Sequence, residues 1–521
     1  VPETTPSPLE TELADAGSDF RDRHEPAGRQ ADDAEHVLFP KLPYSWVPRG
    51  GEATQDVQLQ QFVNDATLKK DAGRKQVMPE TFGDRVDEVR KLAGSIKQHT
   101  LDHLDHYLQQ FVESATAAGA QVHFAKDGPQ TNAIITDIAQ REGCKVCVKA
   151  KSMVTEETHL VPELEKLGIE AIETDLGEFI LQIDDDAPSH IVTPMIHKDR
   201  AAVGRAFQRE LGVDYTTDEV ELAMIARDHL RKKFRAADLG ISGGNFLVAG
   251  TGTVVICTNE GNGRLSTSAP RVHVAVVGIE KLVPDLDGLA VLLKVLARSS
   301  TAQPLTCYTH LMTGPRRAED VDGPERMHIV LVDNGRTEAL RPETREMLRC
   351  IRCGACLNAC PVYRKVGGHS YGSVYSGPIG AILTPTLREL HNYPDLPQAS
   401  SLCGACFEAC PVHIDIPKYL IQLRKELVQS GQTAAWDRAF MRAWAKSLNG
   451  NFGYRMGQRA QRSMFRVQAK LNGTLTGDDP YTNRGWLSNA PGPVGGWTEV
   501  RDLPTPTKRS FRDWWNKEHA R

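Results

Sequence analysis

The sequence predicts a parallel α/β domain, then a mainly helical segment built round seven clustered cysteines, then an extended helical and irregular C-terminal region. Three observations carry this reading. Strand-like and helix-like stretches alternate from residue 121 onward, seven cysteines fall between Cys350 and Cys410, and residues 472–521 are rich in Pro, Gly and Trp. Strands that alternate with crossover helices build a parallel sheet covered on both faces.

At 521 residues the chain is long enough for two or three domains, and its apolar fraction of 40% and charged fraction of 25% are those of a globular protein. A net charge of -5 argues against nucleic acid, which needs a basic footprint. No run of about 18 apolar residues is present, so no transmembrane helix is expected. The start of the chain lacks the basic and apolar regions of a signal peptide. Cysteines that must stay thiolates point to the reducing cytoplasm, with membrane association, if any, peripheral and through partners.

In chain order, residues 1–35 read as a disordered acidic tail, rich in Pro, Thr, Ala, Asp and Glu. Residues 36–338 form the α/β domain with a helical N-terminal part. Within a helix expected over 99–118, Leu101, Leu104, Leu108 and Phe111 share one face. His99, His103 and His106 lie opposite that stripe and face solvent rather than a metal. Strands are expected at 121–125, 145–150, 169–173 and 179–183, with helices at 131–142 and 156–167. Cys144 and Cys147 are spaced like metal ligands, but in a strand they point to opposite faces and read as core residues.

Residues 238–264 are rich in glycine and place strands at 254–258 and, just beyond, 272–277. Asn245, Thr251, Thr253, Asn259, Glu260, Asn262 and Arg264 are the polar groups able to converge on a ligand here, Arg264 being the candidate for a carboxylate or phosphate. The segment matches neither the dinucleotide nor the P-loop fingerprint. A ligand pocket and structural turns explain its glycines equally well.

The cysteines carry the sharpest chemistry. Cys350, Cys353, Cys356 and Cys360-Pro361 follow the C-x2-C-x2-C-x3-C-P run of bacterial ferredoxins. Cys403, Cys406 and Cys410-Pro411 repeat its last three members. In such runs the cysteine before proline ligates the other cluster. Cys350, Cys353, Cys356 and Cys410 are therefore expected to hold one iron–sulfur cluster, and Cys360, Cys403 and Cys406 a second. The position that would supply its fourth thiolate is Ser400. Either a hydroxyl, water or distant residue completes a 4Fe-4S cluster there, or the cluster is 3Fe-4S. Paired zinc sites would ask for eight ligands and no Cys-Pro ending. After a helix over 341–348 and the cysteine runs, helix is expected again from 417 to 466, and Trp486, Trp497, Trp514 and Trp515 are expected to lie across a domain or a partner.

Taken with Lys149-Ala-Lys-Ser-Met153, Glu173-Thr-Asp-Leu-Gly-Glu178, Gly240-Ile-Ser-Gly-Gly-Asn-Phe246, Thr258-Asn-Glu-Gly-Asn-Gly-Arg264, Gly278-Ile-Glu-Lys281 and Val332-Asp-Asn-Gly-Arg336, the cysteine groups give the chain a resemblance to the lactate utilisation protein B family over roughly residues 39–515. The resemblance implies a lactate-utilisation (LUD) domain similar to the sugar-phosphate isomerase and CoA-transferase fold over 36–338. It further implies an α-helical dicluster ferredoxin domain over 339–430 and a C-terminal extension over 431–521. The implied function is that of an iron–sulfur electron-transfer subunit in a complex that oxidises L-lactate to pyruvate and so allows growth on lactate. Its partners would be a Cys-rich subunit like those of heterodisulfide reductase and a smaller LUD-domain protein. A stand-alone LUD-domain enzyme and a cluster-based regulator are the alternatives, and no catalytic residue is assigned.

Overall fold

Strands buried on both faces decide the architecture. The structure, a computed structural model, describes residues 37–433, 435–472, 485–490, 495–498 and 501–519. The acidic tail expected over 1–35 lies outside the described residues. Two compact units are present, Val1–Gln429 and Ser430–Arg521.

In the first unit, six strands form one all-parallel sheet: β1 (Gln121–Ala125), β2 (Val146–Lys149), β3 (Glu170–Glu173), β4 (Leu239–Ser242), β7 (Val272–Gly278) and β10 (Arg326–Val332). Their order is β1-β10-β7-β4-β2-β3. Val274, Val276, Val330 and Val332 point to one face, where Ile135, Ile138, Leu160 and Leu164 cover them. Ala275, Val277, Ile329 and Leu331 point to the other, against Leu104 and Phe111. A second sheet, ordered β8-β5-β6-β9, packs on that same face through Leu247, Val254, Ile256 and Leu282. Its strands are β5 (Phe246–Val248), β6 (Thr253–Thr258), β8 (Leu282–Val283) and β9 (Tyr308–Met312).

Several expected elements are corrected. Residues 179–183 are not a strand but the end of helix Leu176–Ile183. Asp175 caps it by accepting from the backbone N–H groups of Gly177 and Glu178, and Phe179, Ile180 and Ile183 bury one helical face against Phe207 and Leu222. The helix expected over 156–167 is two, Met153–Thr158 and Leu160–Lys166, parted by His159 at φ 56. The helix expected over 99–118 also breaks, at His103, between Val86–Asp102 and Leu104–Ala117. Leu101 and Leu104 belong to different apolar clusters, and the break lets each helix serve its own. His99, His103 and His106 are exposed, and Cys144 and Cys147 are buried. Ahead of the cysteines, the helix expected over 341–348 is one short 3-10 turn, Arg345–Arg349.

The cysteine-bearing segment shares a hydrophobic cluster with the α/β domain. Phe246, Val248, Val255 and Leu292 from the domain lie in it with Cys353, Cys356, Leu357, Ile379 and Leu420. Helix Ile416–Gln429 closes this unit. The second unit contains helices Ala435–Leu448 and Asn451–Leu471, so the expected run from 417 to 466 is three helices. Phe465 and Ala469 bury against a two-stranded ribbon, Trp486–Leu487 with Leu503–Pro504.

Gly240 sits in the middle of the main sheet where helix Asn262–Ser268 crosses it, and a Cβ there would lie 1.8 Å from the Ser266 carbonyl oxygen. Gly240→Ala is expected to cost roughly 1–3 kcal/mol by forcing backbone apart. A lowered thermal midpoint at unchanged iron content checks it.

Candidate metal centre at the sheet edge

The two cysteine runs fold as the same turn made twice. Arg352 and Leu402 have φ of 59 and 54, and Gly354 and Gly404 follow at 74 and 86. One short helix then carries the next cysteine and ends at the one after it, Ala355–Ala359 with Cys356 and Cys360 in the first run and Ala405–Ala409 with Cys406 and Cys410 in the second. Left-handed backbone favours glycine. At Gly354 a side chain is doubly excluded, because a Cβ would sit 3.3 Å from the His190 ring. The sulfurs also accept backbone N–H groups in parallel fashion: Cys360 Sγ from Tyr363 and Cys410 Sγ from Ile414, both at 3.4 Å. Cys350 Sγ accepts from Arg352 N at 3.4 Å, and Ser400 Oγ, at the matching place in the second run, accepts from Leu402 N at 3.1 Å.

The fold sorts the thiols into two neighbourhoods. Cys353 feels the charge of Cys410 and Cys350, and Cys356 that of Cys350, Cys353, Cys406 and Cys410. Cys360 feels Cys403, and Cys406 feels Cys360 and Cys403. The chain thus brings Cys410 to the first run and Cys360 to the second. All seven are free thiols, five of them buried, with Cys350 half-buried and Cys403 exposed. Burial pushes the Cys406 thiol up to about 12 and that of Cys410 to about 11, although backbone N–H groups oppose the rise at both.

This donor set fits iron–sulfur clusters. Thiols held so firmly protonated by burial need a bound cation to ionise, and iron supplies it. A single tetrahedral zinc would draw its sulfurs to about 3.8 Å from one another, given Zn–S bonds of about 2.3 Å. Among the described residues, the two trios whose donor atoms all lie within 4.8 Å contain no cysteine.

Cations gather round the first neighbourhood. The Arg352 guanidinium is buried against Cys350, lies 4.6 Å from the Tyr375 ring centre, and donates from Nη2 to Glu280 Oε1 at 3.2 Å. Lys97 Nζ donates to the Glu280 and Leu282 carbonyls at 2.5 and 2.9 Å. Arg90 donates to the carbonyls of Cys410 and Phe407. Burial alone would raise the Glu280 carboxyl, but Arg336, Arg352 and Lys281 outweigh it and bring it to about 2. These groups sit at the C-terminal edge of the main sheet, where open α/β sheets place ligands.

Comparison with known proteins adds the family. Residues 108–332 match the LUD domain, residues 346–414 the 4Fe-4S dicluster domain, and residues 423–520 the C-terminal domain of lactate utilisation protein B. Lactate utilization protein B of Geobacillus sp. (strain WCH70) is 45% identical over 437 residues, 84% of this chain and 89% of that protein. The chain belongs to the lactate utilisation protein B family. Its namesakes from Bacillus subtilis (strain 168), 46% identical over 82% of this chain and 87% of theirs, and Bacillus cereus (strain AH820), 42% over 91% and 97%, agree.

Within the LUD domain, the glycine-rich polar residues spread over separate contacts. Asn245 Oδ1 accepts from Cys257 N, Thr251, Thr253 and Thr313 form a hydroxyl chain, and Asn259 bridges Gln303 and Cys307. Asn262 Oδ1 accepts from its neighbour's N–H, and Arg264 is exposed near His310. Glu260 alone reaches a charged cluster: it accepts from Leu176 N, and burial with the charge of Asp175 raises its carboxyl to about 7. That cluster is the site the sequence reading missed. Lys149 Nζ is buried among Glu156 at 2.8 Å, Glu173 at 2.7 Å and Glu178 at 4.0 Å, and Lys151 pairs with Glu178 at 2.9 Å. Its signal was present in the Lys149–Met153 and Glu173–Glu178 motifs, which end β2 and β3 with charge where solvent was the simpler expectation.

Two substitutions test this centre. Cys410→Ser should perturb the cluster held by the first run and spare the one beside Cys403, as read by electron paramagnetic resonance. Arg352→Gln should lower that first cluster's midpoint potential by on the order of 100 mV, the effect of one charge about 6 Å away at an effective dielectric near 20. An unchanged potential would remove Arg352 from the cluster's environment.

Proposed function

We propose that this chain is the iron–sulfur electron-transfer subunit of a complex oxidising L-lactate to pyruvate. The observation that carries the reading is the exchange of Cys360 and Cys410 between two turns of one shape, which would set two clusters side by side. Oxidation of a 2-hydroxy acid to a 2-oxo acid releases two electrons and two protons, and iron–sulfur clusters when bound conduct electrons singly. Cys350, Cys353, Cys356 and Cys410 would hold the first, a 4Fe-4S cluster. Cys360, Cys403 and Cys406 would hold the second, for whose fourth position Ser400 Oγ, which accepts from Leu402 N as Cys350 Sγ accepts from Arg352 N, is one candidate beside water, a distant residue or a 3Fe-4S cluster that needs none.

The chain's own groups then have distinct parts. Arg352 and Arg90 place positive charge round the first cluster, which favours its reduced form, while burial lowers the Lys97 ammonium to about 7. Cys403 brings the second to the surface, the side from which a partner exchanges electrons. The partners we infer are a Cys-rich subunit like those of heterodisulfide reductase and a smaller LUD-domain protein, the names of the relatives supporting lactate as the substrate of the assembly. The buried charge about Lys149 favours a second reading, in which the LUD domain performs chemistry of its own, and turnover by the isolated chain would establish it.

Anaerobically purified protein should contain about seven or eight irons with matching acid-labile sulfide, as one full cluster and one full or corner-lacking cluster require. In the reconstituted complex L-lactate should bleach the cluster absorbance, and omission of either partner should prevent it. Stoichiometric zinc without sulfide, or bleaching by lactate with this chain alone, would overturn the assignment.

A further inference from the structure

The second unit carries an amphipathic surface that the redox function leaves unused. Helix Ala435–Leu448 reads Ala-Trp-Asp-Arg-Ala-Phe-Met-Arg-Ala-Trp-Ala-Lys-Ser-Leu, and none of its described residues is buried. Trp436, Phe440, Trp444 and Leu448 recur every four residues, a step of 400° that keeps them on one slowly drifting stripe, with Met441 beside it. Arg438, Arg442 and Lys446 recur at the same interval on the opposite side. Trp436 is 70% and Trp444 53% exposed.

The next helix repeats the pattern on a larger scale. Asn451–Leu471 uses Phe465 and Ala469 to hold the two-stranded ribbon, while Phe452, Met456, Met464, Val467 and Leu471 stay exposed along another face. Arg455, Arg459, Arg462, Arg466 and Lys470 lie between the two. From Ala435 to Leu471 the sequence holds eight basic residues and one acidic one, Asp437, in a chain whose total is -5. Apolar residues exposed together in this number mark a surface that something covers.

We propose that this face binds directly to the surface of an anionic lipid bilayer. A strip of Trp, Phe and Leu backed by Lys and Arg is the composition of a helix that lies in the interface, its rings at headgroup depth and its cations among the phosphates. A helix of 14 residues is about 21 Å long, suited to lying flat and too short to span. Basic side chains with long stems reach back to the phosphates from the far side of such a helix. An acidic protein partner would match the charge equally, but Trp436 and Trp444, two of the four residues of the apolar stripe, match the amphipathic depth of a headgroup layer. The proposal rests on the second unit alone and stands whatever the electron donor is.

The test uses full-length, cluster-loaded protein and flotation with vesicles of phosphatidylcholine, alone or with about one-third phosphatidylglycerol as the anionic lipid. Binding is expected only to the anionic vesicles. It should weaken as salt rises from about 0.1 M to about 1 M, where the Debye length falls from about 10 Å to about 3 Å. The triple variant Arg438→Gln, Arg442→Gln, Lys446→Gln should lose about a hundredfold in partitioning, each cation near the surface being worth about a factor of five. Trp436→Ser with Trp444→Ser should lose binding at unchanged iron content and circular dichroism. Quenching of wild-type tryptophan emission by brominated lipid reads insertion without any variant. Failure of the wild type to float, flotation that neither variant weakens, or cover of the stripe by an acidic protein with no vesicle binding would each overturn the proposal.

Discussion

A guanidinium removed from water joins the two halves of the first unit. Arg336 is fully buried, with Nη1 and Nη2 each 2.9 Å from a Glu157 oxygen and Nε 2.5 Å from Glu280 Oε2. Glu157 also accepts from the Tyr375 hydroxyl at 2.6 Å, and Glu280 passes on to Arg352 beside Cys350. One charge therefore ties the end of β10, the helix after β2, the end of β7 and the cysteine segment together. Removing either partner of such a buried pair costs about 3–5 kcal/mol, because the other charge is left without compensation. The cysteine turns are aimed by the sheet edge as much as by their own glycines.

The two thiol neighbourhoods are alike in backbone and unlike in surroundings. The first lies among Arg352, Lys97, Lys281 and Arg90, whereas the second has Arg364 near Cys360 and an exposed Cys403. Charge, hydrogen bonds to sulfur and solvent access set the potential of a cluster. Sequence repetition thus supplies the backbone turn twice, and Arg90, Lys97, Lys281 and Arg352 supply the difference between the copies.

Much of this was legible in the residues. Apolar runs located four of the six strands of the main sheet, among them Gln121–Ala125 and Val272–Gly278, because a strand buried on both faces leaves a long apolar run. Phe179 to Ile183 misled because a run of that length fits strand or helix, and the deciding feature was the Asp175 cap outside it. Leu239–Ser242, Arg326–Val332 and the helices Arg200–Leu211 and Glu219–Ala236 were passed over. The cysteine spacing pointed directly to its chemistry, since few other structures ask for it. The charged cluster did not, because Lys149 and Glu173 look like surface residues until the sheet edge buries them. Arg264 erred in the opposite way: a lone cation among glycines suggested a ligand, and the chain places it outside.

The mixed cluster of apolar residues has a bearing on how the protein comes into being. Phe246, Val248 and Leu292 share one apolar cluster with Leu357, Ile379 and the cysteine turns. The turns in turn close on metal, since buried thiols ionise only when iron compensates them. The ribosome delivers the LUD domain first, and although the clusters on both faces of its main sheet close without the cysteines, the part of its core round Phe246, Val248 and Leu292 must wait for residues made later. Loss of a cluster would then loosen the packing on which these three side chains depend.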